Sequence, residues 1–135
     1  MNPGFPDPRA LLDRFALGWR KADASLLKTT WDPDYPDSTY MPSEAPEPVF
    51  GFAAISKYYD NATSMYPITS MEISNIRVLE YGLLAYAYCD ISIGFTVGES
   101  EYLVHPRATF LLRQRDGRWY TLHYHESIKY EVPQS

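Results

Sequence analysis

A chain of 135 residues with a formal net charge of −5 suits one domain around a single core, since domains run to about 100–200 residues. Its Lys and Arg are scattered, without the basic footprint that nucleic acid or an anionic membrane requires, and no apolar run reaches the eighteen or so residues that cross a bilayer. One cysteine, Cys89, excludes an intrachain disulfide framework and fits a reducing compartment. The lead Met1-Asn2-Pro3-Gly4-Phe5-Pro6 lacks a basic and an apolar region, so the expected location is the cytoplasm.

Residues 1–6 are rich in Pro and Gly and are expected to be flexible, as are 131–135, leaving one domain over 7–130. Asp7-Pro8 offers an N-cap followed by proline at the first helical position, and Leu11, Leu12, Phe15, Ala16 and Trp19 recur at helical spacing to about Lys21. Asp23 is placed to cap a second, short helix carrying Leu26, Leu27 and Trp31. A proline-punctuated stretch, Asp32-Pro33-Asp34-Tyr35-Pro36, precedes a short strand near Ser38–Met41. Residues 42–48, with three prolines and two glutamates, read as a loop. A third helix is expected from Phe52 to about Ser64.

From Ile68 the pattern changes to period two. Met71–Leu79, Leu83–Phe95, Glu101–Arg113 and Trp119–Tyr130 read as four long strands separated by short turns. Strands following helices imply an α+β domain with an antiparallel meander. Strands of this length must bend, since about five or six residues is typical, and a bent sheet closing over helices makes a cavity.

Alternation sorts the strand residues by face. Leu83, Ala85, Ala87, Cys89 and Ile91 share one face; Tyr86, Tyr88, Asp90 and Ser92 share the other. His105, Arg107 and Thr109 oppose Ala108, Phe110 and Leu112. In the last strand Trp119, Thr121, His123, His125 and Ser127 fall together, against Tyr120, Leu122, Tyr124 and Glu126. A bulged turn at Arg115-Asp116-Gly117 would put Arg107 opposite His125 and Thr109 opposite His123. A two-residue turn at Asp116-Gly117 would slip the register and place both histidines with Ala108 and Phe110. The bulged turn is preferred because it gathers the polar residues on one face.

His123 and His125 point the same way roughly 7 Å apart. That spacing serves an acid/base site, a metal with His105 or Asp90 as further ligands, or a plain polar ladder in a sheet. No Cys/His grouping has zinc spacing, and the expectation is that no metal or cofactor is bound. Asp90 in mid-strand needs a partner or a job. Arg107 is suited to an oxyanion or to pairing a buried acid. Tyr40, Tyr58 and Tyr88 are candidate hydroxyl donors. Gly-rich phosphate loops, a nucleophile elbow and Cys-X-X-Cys are absent, so covalent and nucleotide chemistry have no support.

Arg115-Asp116-Gly117-Arg118-Trp119, followed by Leu122-His123-Tyr124-His125-Glu126-Ser127, resembles the end of SnoaL-like members of the nuclear transport factor 2-like superfamily. It is especially similar to the association domain of calcium/calmodulin-dependent kinase, where a D-G-[KR]-W turn precedes an H-x-H-x-S strand. The likeness covers about residues 7–130 and implies a cone: a curved antiparallel sheet wrapped around three N-terminal helices. It also implies a homodimer formed by sheet packing. Ketosteroid isomerase chemistry does not carry over, because the matching positions are Phe15 and about Met41. Nor do the pocket arginines of kinase association domains, matched here by Asp90 and Phe110. The water-handling tyrosine of scytalone dehydratase-type enzymes is matched by Tyr40. These residues together lead to the expectation of a cofactor-independent lyase, dehydratase or isomerase acting on a small cyclic or aromatic substrate. His125, Asp90, Arg107 and Tyr40 would do the chemistry. Tyr58, Tyr88, Trp31, Phe110, His123 and His105 would bind substrate. The rival expectation is a non-catalytic ligand-binding or oligomerisation module.

Overall fold

The Asp7 side chain accepts a hydrogen bond from the Ala10 N–H at 2.9 Å, and Pro8 opens helix α1, Pro8–Arg20. The apolar stripe of α1 is buried from Leu11 to Trp19. A computed structural model of the protein describes residues 5–65 and 67–129. Asp23 caps α2, Ala24–Lys28, by accepting from the Ser25 and Leu26 N–H groups. The two helices touch at Gly18, where an added Cβ would lie 2.8 Å from Leu27 Cγ and Cδ2. Trp31 lies beyond α2 rather than on it. It forms a parallel bridge with Thr121, and its indole Nε1 donates to the Tyr59 hydroxyl at 2.8 Å. Helix α3, Phe52–Met65, buries Ile55, Tyr59 and Ala62, a spacing that sets one stripe against the core.

Among the described residues seven strands form one sheet: β1 Thr39–Met41, β2 Val49–Phe50, β3 Ile68–Tyr81, β4 Leu84–Val97, β5 Ser100–Val104, β6 Arg107–Arg115 and β7 Arg118–Ser127. Their order is β2-β1-β7-β6-β4-β3, with β5 paired to β4 beyond β6. The expected meander is present, but β1 lies parallel to β7, so the sheet is mixed. The third expected strand, Glu101–Arg113, is broken at His105-Pro106, where proline has no N–H to give the ladder. The end of the fourth, at Tyr130, lies outside the described residues. Shifts of register between Ile68 and Ser70 and between Ser74 and Arg77 supply the bend that long strands need. The result is a cone of curved sheet closed over the helices. Phe5, expected in a flexible lead, is instead buried, and its carbonyl accepts from the Trp119 N–H at 2.8 Å. Its large apolar ring finds cover against the last strand. The rest of the expected flexible ends, 1–4 and 131–135, lies outside the described residues.

The turn before β7 overturns one expectation and keeps another. Arg115 pairs with Arg118 across Asp116-Gly117, whose φ values of 55° and 76° fit a two-residue type I′ turn. The preferred bulged turn does not form. A bulge at Leu122 nevertheless restores the gathering of polar residues, because Leu112 pairs with Thr121 while Leu111 pairs with His123. Upstream of the bulge Thr121 faces inward with Leu112; downstream His123, His125 and Ser127 turn outward. Arg107 therefore stands opposite Ser127, not His125, and His125 stands opposite Thr109.

Candidate active site

Between the helices and the concave sheet face lies a cavity of about 230 Å³. Phe15 and Trp19 of α1, Met71 of β3, Ile91 and Ile93 of β4, and Val104 of β5 are among its apolar walls. Its polar lining is a single cluster: Ser43 and Glu44 from the loop after β1, with Tyr124 and Glu126 from β7. Among the described residues no Lys, Arg or His lines it.

Alternation on β7 brings Tyr124 and Glu126 inward together, and the loop after β1 folds across them. The Tyr124 hydroxyl donates to Glu126 Oε1 at 2.9 Å, and the Ser43 hydroxyl to Oε2 at 2.8 Å. Burial, and then the neighbouring Glu44 charge, push the Glu126 carboxyl above its ordinary range despite these donors. The Glu44 carboxylate accepts from the Tyr58 hydroxyl. Burial first, and then Glu126, hold the Tyr124 phenol well above its ordinary range, so it remains a donor. Below this cluster Tyr40 packs on Trp31, Tyr58, Tyr59 and Tyr124, with ring centroids 5.1–5.8 Å apart. Burial keeps the Tyr40 phenol protonated in the same way.

The residues expected to do the chemistry and those expected to bind substrate divide accordingly. Tyr40 and Trp31 are buried in the aromatic layer under the site, and Phe110 packs on Phe15 and Tyr124 with centroids 5.2 and 4.8 Å away. Tyr58 reaches the cluster through Glu44. Asp90, Arg107 and His125 lie on the outer face, as do Tyr88, His105 and His123, and none of these lines the cavity. The physical reason is the sheet's two sides: the face of Ala85, Ala87 and Cys89 turns to the helices, so its alternates turn away. Asp90 stands opposite Arg107 in the ladder but accepts from Asn75 Nδ2 at 2.7 Å and from the Tyr88 hydroxyl. The Arg107 guanidinium donates to Ser127 Oγ at 3.2 Å, and Ser92 Oγ lies 3.1 Å from His105 Nδ1. The rings of His123 and His125 are 6.4 Å apart. Burial, and then His125, lower the His123 imidazole from its ordinary value. Among the described residues no three His, Cys, Asp or Glu are grouped to hold a metal.

Sequence reading missed Glu126, Glu44, Ser43 and Tyr124. A signal for Glu126 was present: it is an acid on the apolar alternation of the last strand. Nothing in the spacing of Ser43 or Glu44 points across the fold to it.

Comparison with known proteins agrees with this architecture. The sequence matches the SnoaL-like domain over residues 9–131. No curated protein matches. A candidate calcium/calmodulin-dependent protein kinase II association domain from Xanthomonas campestris superposes with a TM-score of 0.76 at 21% identity, over 92% of this chain and 86% of that one. An NTF2-like protein of unknown function from Pseudomonas putida gives 0.77 at 22% identity, over 92% and 85%. A type 2 hexachlorocyclohexane dehydrochlorinase gives 0.77 at 18% identity, over 94% and 86%. Since the domain match spans nearly all of the cone just described, the chain belongs to the SnoaL-like domain family.

Proposed function

We propose that the protein is a cofactor-independent acid/base enzyme, a lyase, dehydratase or isomerase, that works on a small cyclic or aromatic compound in the conical cavity. Glu126 is its acid/base. The observation that carries this reading is the Glu126 carboxylate, shifted toward neutrality by burial and by Glu44, in a polar cluster of a largely apolar cavity. A base of raised pKa in a dry site gains strength relative to one in water and can return the proton it takes. Tyr124 and Ser43 hold the carboxylate in place, and Glu44 with Tyr58 flanks it. The dehydrochlorinase among the similar structures shows that this fold can support an elimination.

The outer face suits assembly. Leu84, Tyr86 and Leu111 are 44%, 36% and 37% exposed there, Tyr86 opposite Leu111 across the β4–β6 ladder. We assign that face to a homodimer, with no role for nucleic acid or membrane. No described helix is long and apolar enough to cross a membrane.

Proton exchange tests the acid/base reading without knowledge of the natural substrate. The protein should speed deuterium uptake from heavy water into cyclohexanone or acetophenone, read by NMR. Glu126→Gln should slow that uptake roughly a hundred- to ten-thousand-fold. Loss in His125→Gln with retention in Glu126→Gln would return the chemistry to the outer face and sink the proposal.

A further inference from the structure

The cavity's size, its lone polar corner and the occupancy of the Glu126 carboxylate together limit what can bind. An engineered apolar cavity of about 150 Å³ takes up benzene, so about 230 Å³ accommodates one substituted ring or a small fused pair. The polar lining is confined to one cluster, with walls such as Ile93, Val104 and Ile91 elsewhere. A ligand therefore lays its hydrocarbon body on those walls and brings one polar end to Glu126.

What that end is follows from counting. A carboxylate has about four acceptor positions. Tyr124 Oη–H and Ser43 Oγ–H take up one on each oxygen of Glu126. The positions left accept an O–H, an N–H or an acidic C–H. An ammonium is drawn by the same two carboxylates, Glu126 and Glu44, so charge does not turn it away. A carboxylate or phosphate would meet Glu126 and Glu44 with no cation in the lining to offset them.

We infer that the cavity selects molecules of one ring or a small fused pair that present a polar or acidic hydrogen to Glu126, and rejects anions. This deepens the acid/base reading and rests on the cavity being the working site.

A series on one ring tests it: phenethyl alcohol, phenylacetate and ethylbenzene, followed by ligand-observed NMR on the whole protein at neutral pH. Phenethyl alcohol should bind in the millimolar range, and phenylacetate at least about tenfold more weakly, a difference that one nearby like charge can produce. Ethylbenzene, without the donor, should bind more weakly than the alcohol. Estradiol should not displace the alcohol. In Glu126→Gln the preference for alcohol over acid should fall to about twofold, and Glu44→Gln should move it the same way by less. Should Glu126→Gln fail to fold, the Glu44→Gln shift decides. Equal or tighter binding of phenylacetate, displacement by estradiol, or no binding of the alcohol overturns the inference. The ligand series involves no turnover. Rejection of the acid with no Glu126-dependent exchange into cyclohexanone upholds the inference and removes the acid/base reading. Such exchange together with equal affinity for alcohol and acid does the reverse.

Discussion

Tyr124 and Glu126 stand two residues apart on one strand, face the same cavity, and are joined by a 2.9 Å hydrogen bond from the phenol to the carboxylate. The phenol thus steadies the charged form of an acid that burial disfavours.

Removing that acid should change how stability depends on pH. Burial and then Glu44 raise the Glu126 carboxyl, so the folded chain holds this proton more tightly than the unfolded chain. Its contribution to stability is fully present below the unfolded value of about 4.3 and is lost as pH rises through the folded value. The melting temperature of Glu126→Gln relative to the parent protein should therefore climb as pH rises through that window, and level off above it. Thermal melts from pH 4 to 8 check this; a flat difference would show that the carboxyl is not perturbed.

Asp32 should behave in the opposite sense. Its side chain is wholly buried and accepts from Arg113 at 2.7 Å and from Arg115 at 2.9 Å. Burial alone would raise this carboxyl, but the bonds from Arg115 and Arg113, and from the Asp34 N–H, outweigh it and leave it lowered. The stability it provides is present above the unfolded value of about 3.9 and is lost as pH falls through the folded value. Asp32→Asn should cost about 2–3 kcal/mol at neutral pH, at the lower end for a broken buried pair because both arginines are partly solvated. Denaturant titration should show that cost shrinking in acid.

The α1–α2 contact leaves no room for a methyl group. A Cβ at Gly18 would meet Leu27, itself fully buried, at 2.8 Å. Gly18→Ala should gain a little helix propensity but lose more to overpacking, a net loss of about 1–2 kcal/mol by chemical denaturation.

Cys89 should be inert in the folded chain. It is buried, and burial, then Asp90 and Glu126, push its thiol up to about 12. Thiol reagents at pH 8 should label it only as fast as the protein unfolds. Rapid labelling in native buffer would contradict the packing described.

Local chemistry made much of the fold legible. Asp7-Pro8 and Asp23 announced their helices, and the alternation in Leu84–Val97 separated Ala85, Ala87 and Cys89 from Tyr86, Tyr88 and Asp90, as the structure does. The break at Pro106 was equally open to reading from its missing N–H, but strand length overshadowed it. The site was less legible. Histidine, aspartate and arginine attract notice, yet an outward sheet face holds such groups at little cost. An acid among Leu122 and Tyr124 is costly and so more informative. Ser43 and Glu44 reach Glu126 only because a loop folds across a strand more than eighty residues later in the chain, which no local pattern encodes.

The extra residue at Leu122 also bears on how such a protein could change its trade. If β7 kept the tight turn at Asp116-Gly117 but ran on without this irregularity, every side chain after it would swap sides. Two imidazoles would enter the cone, and the carboxylate with its phenol would leave it. One sequence thus carries two alternative interiors, and a single-residue slip in descent or in the laboratory is enough to exchange a carboxylate chemistry for an imidazole one.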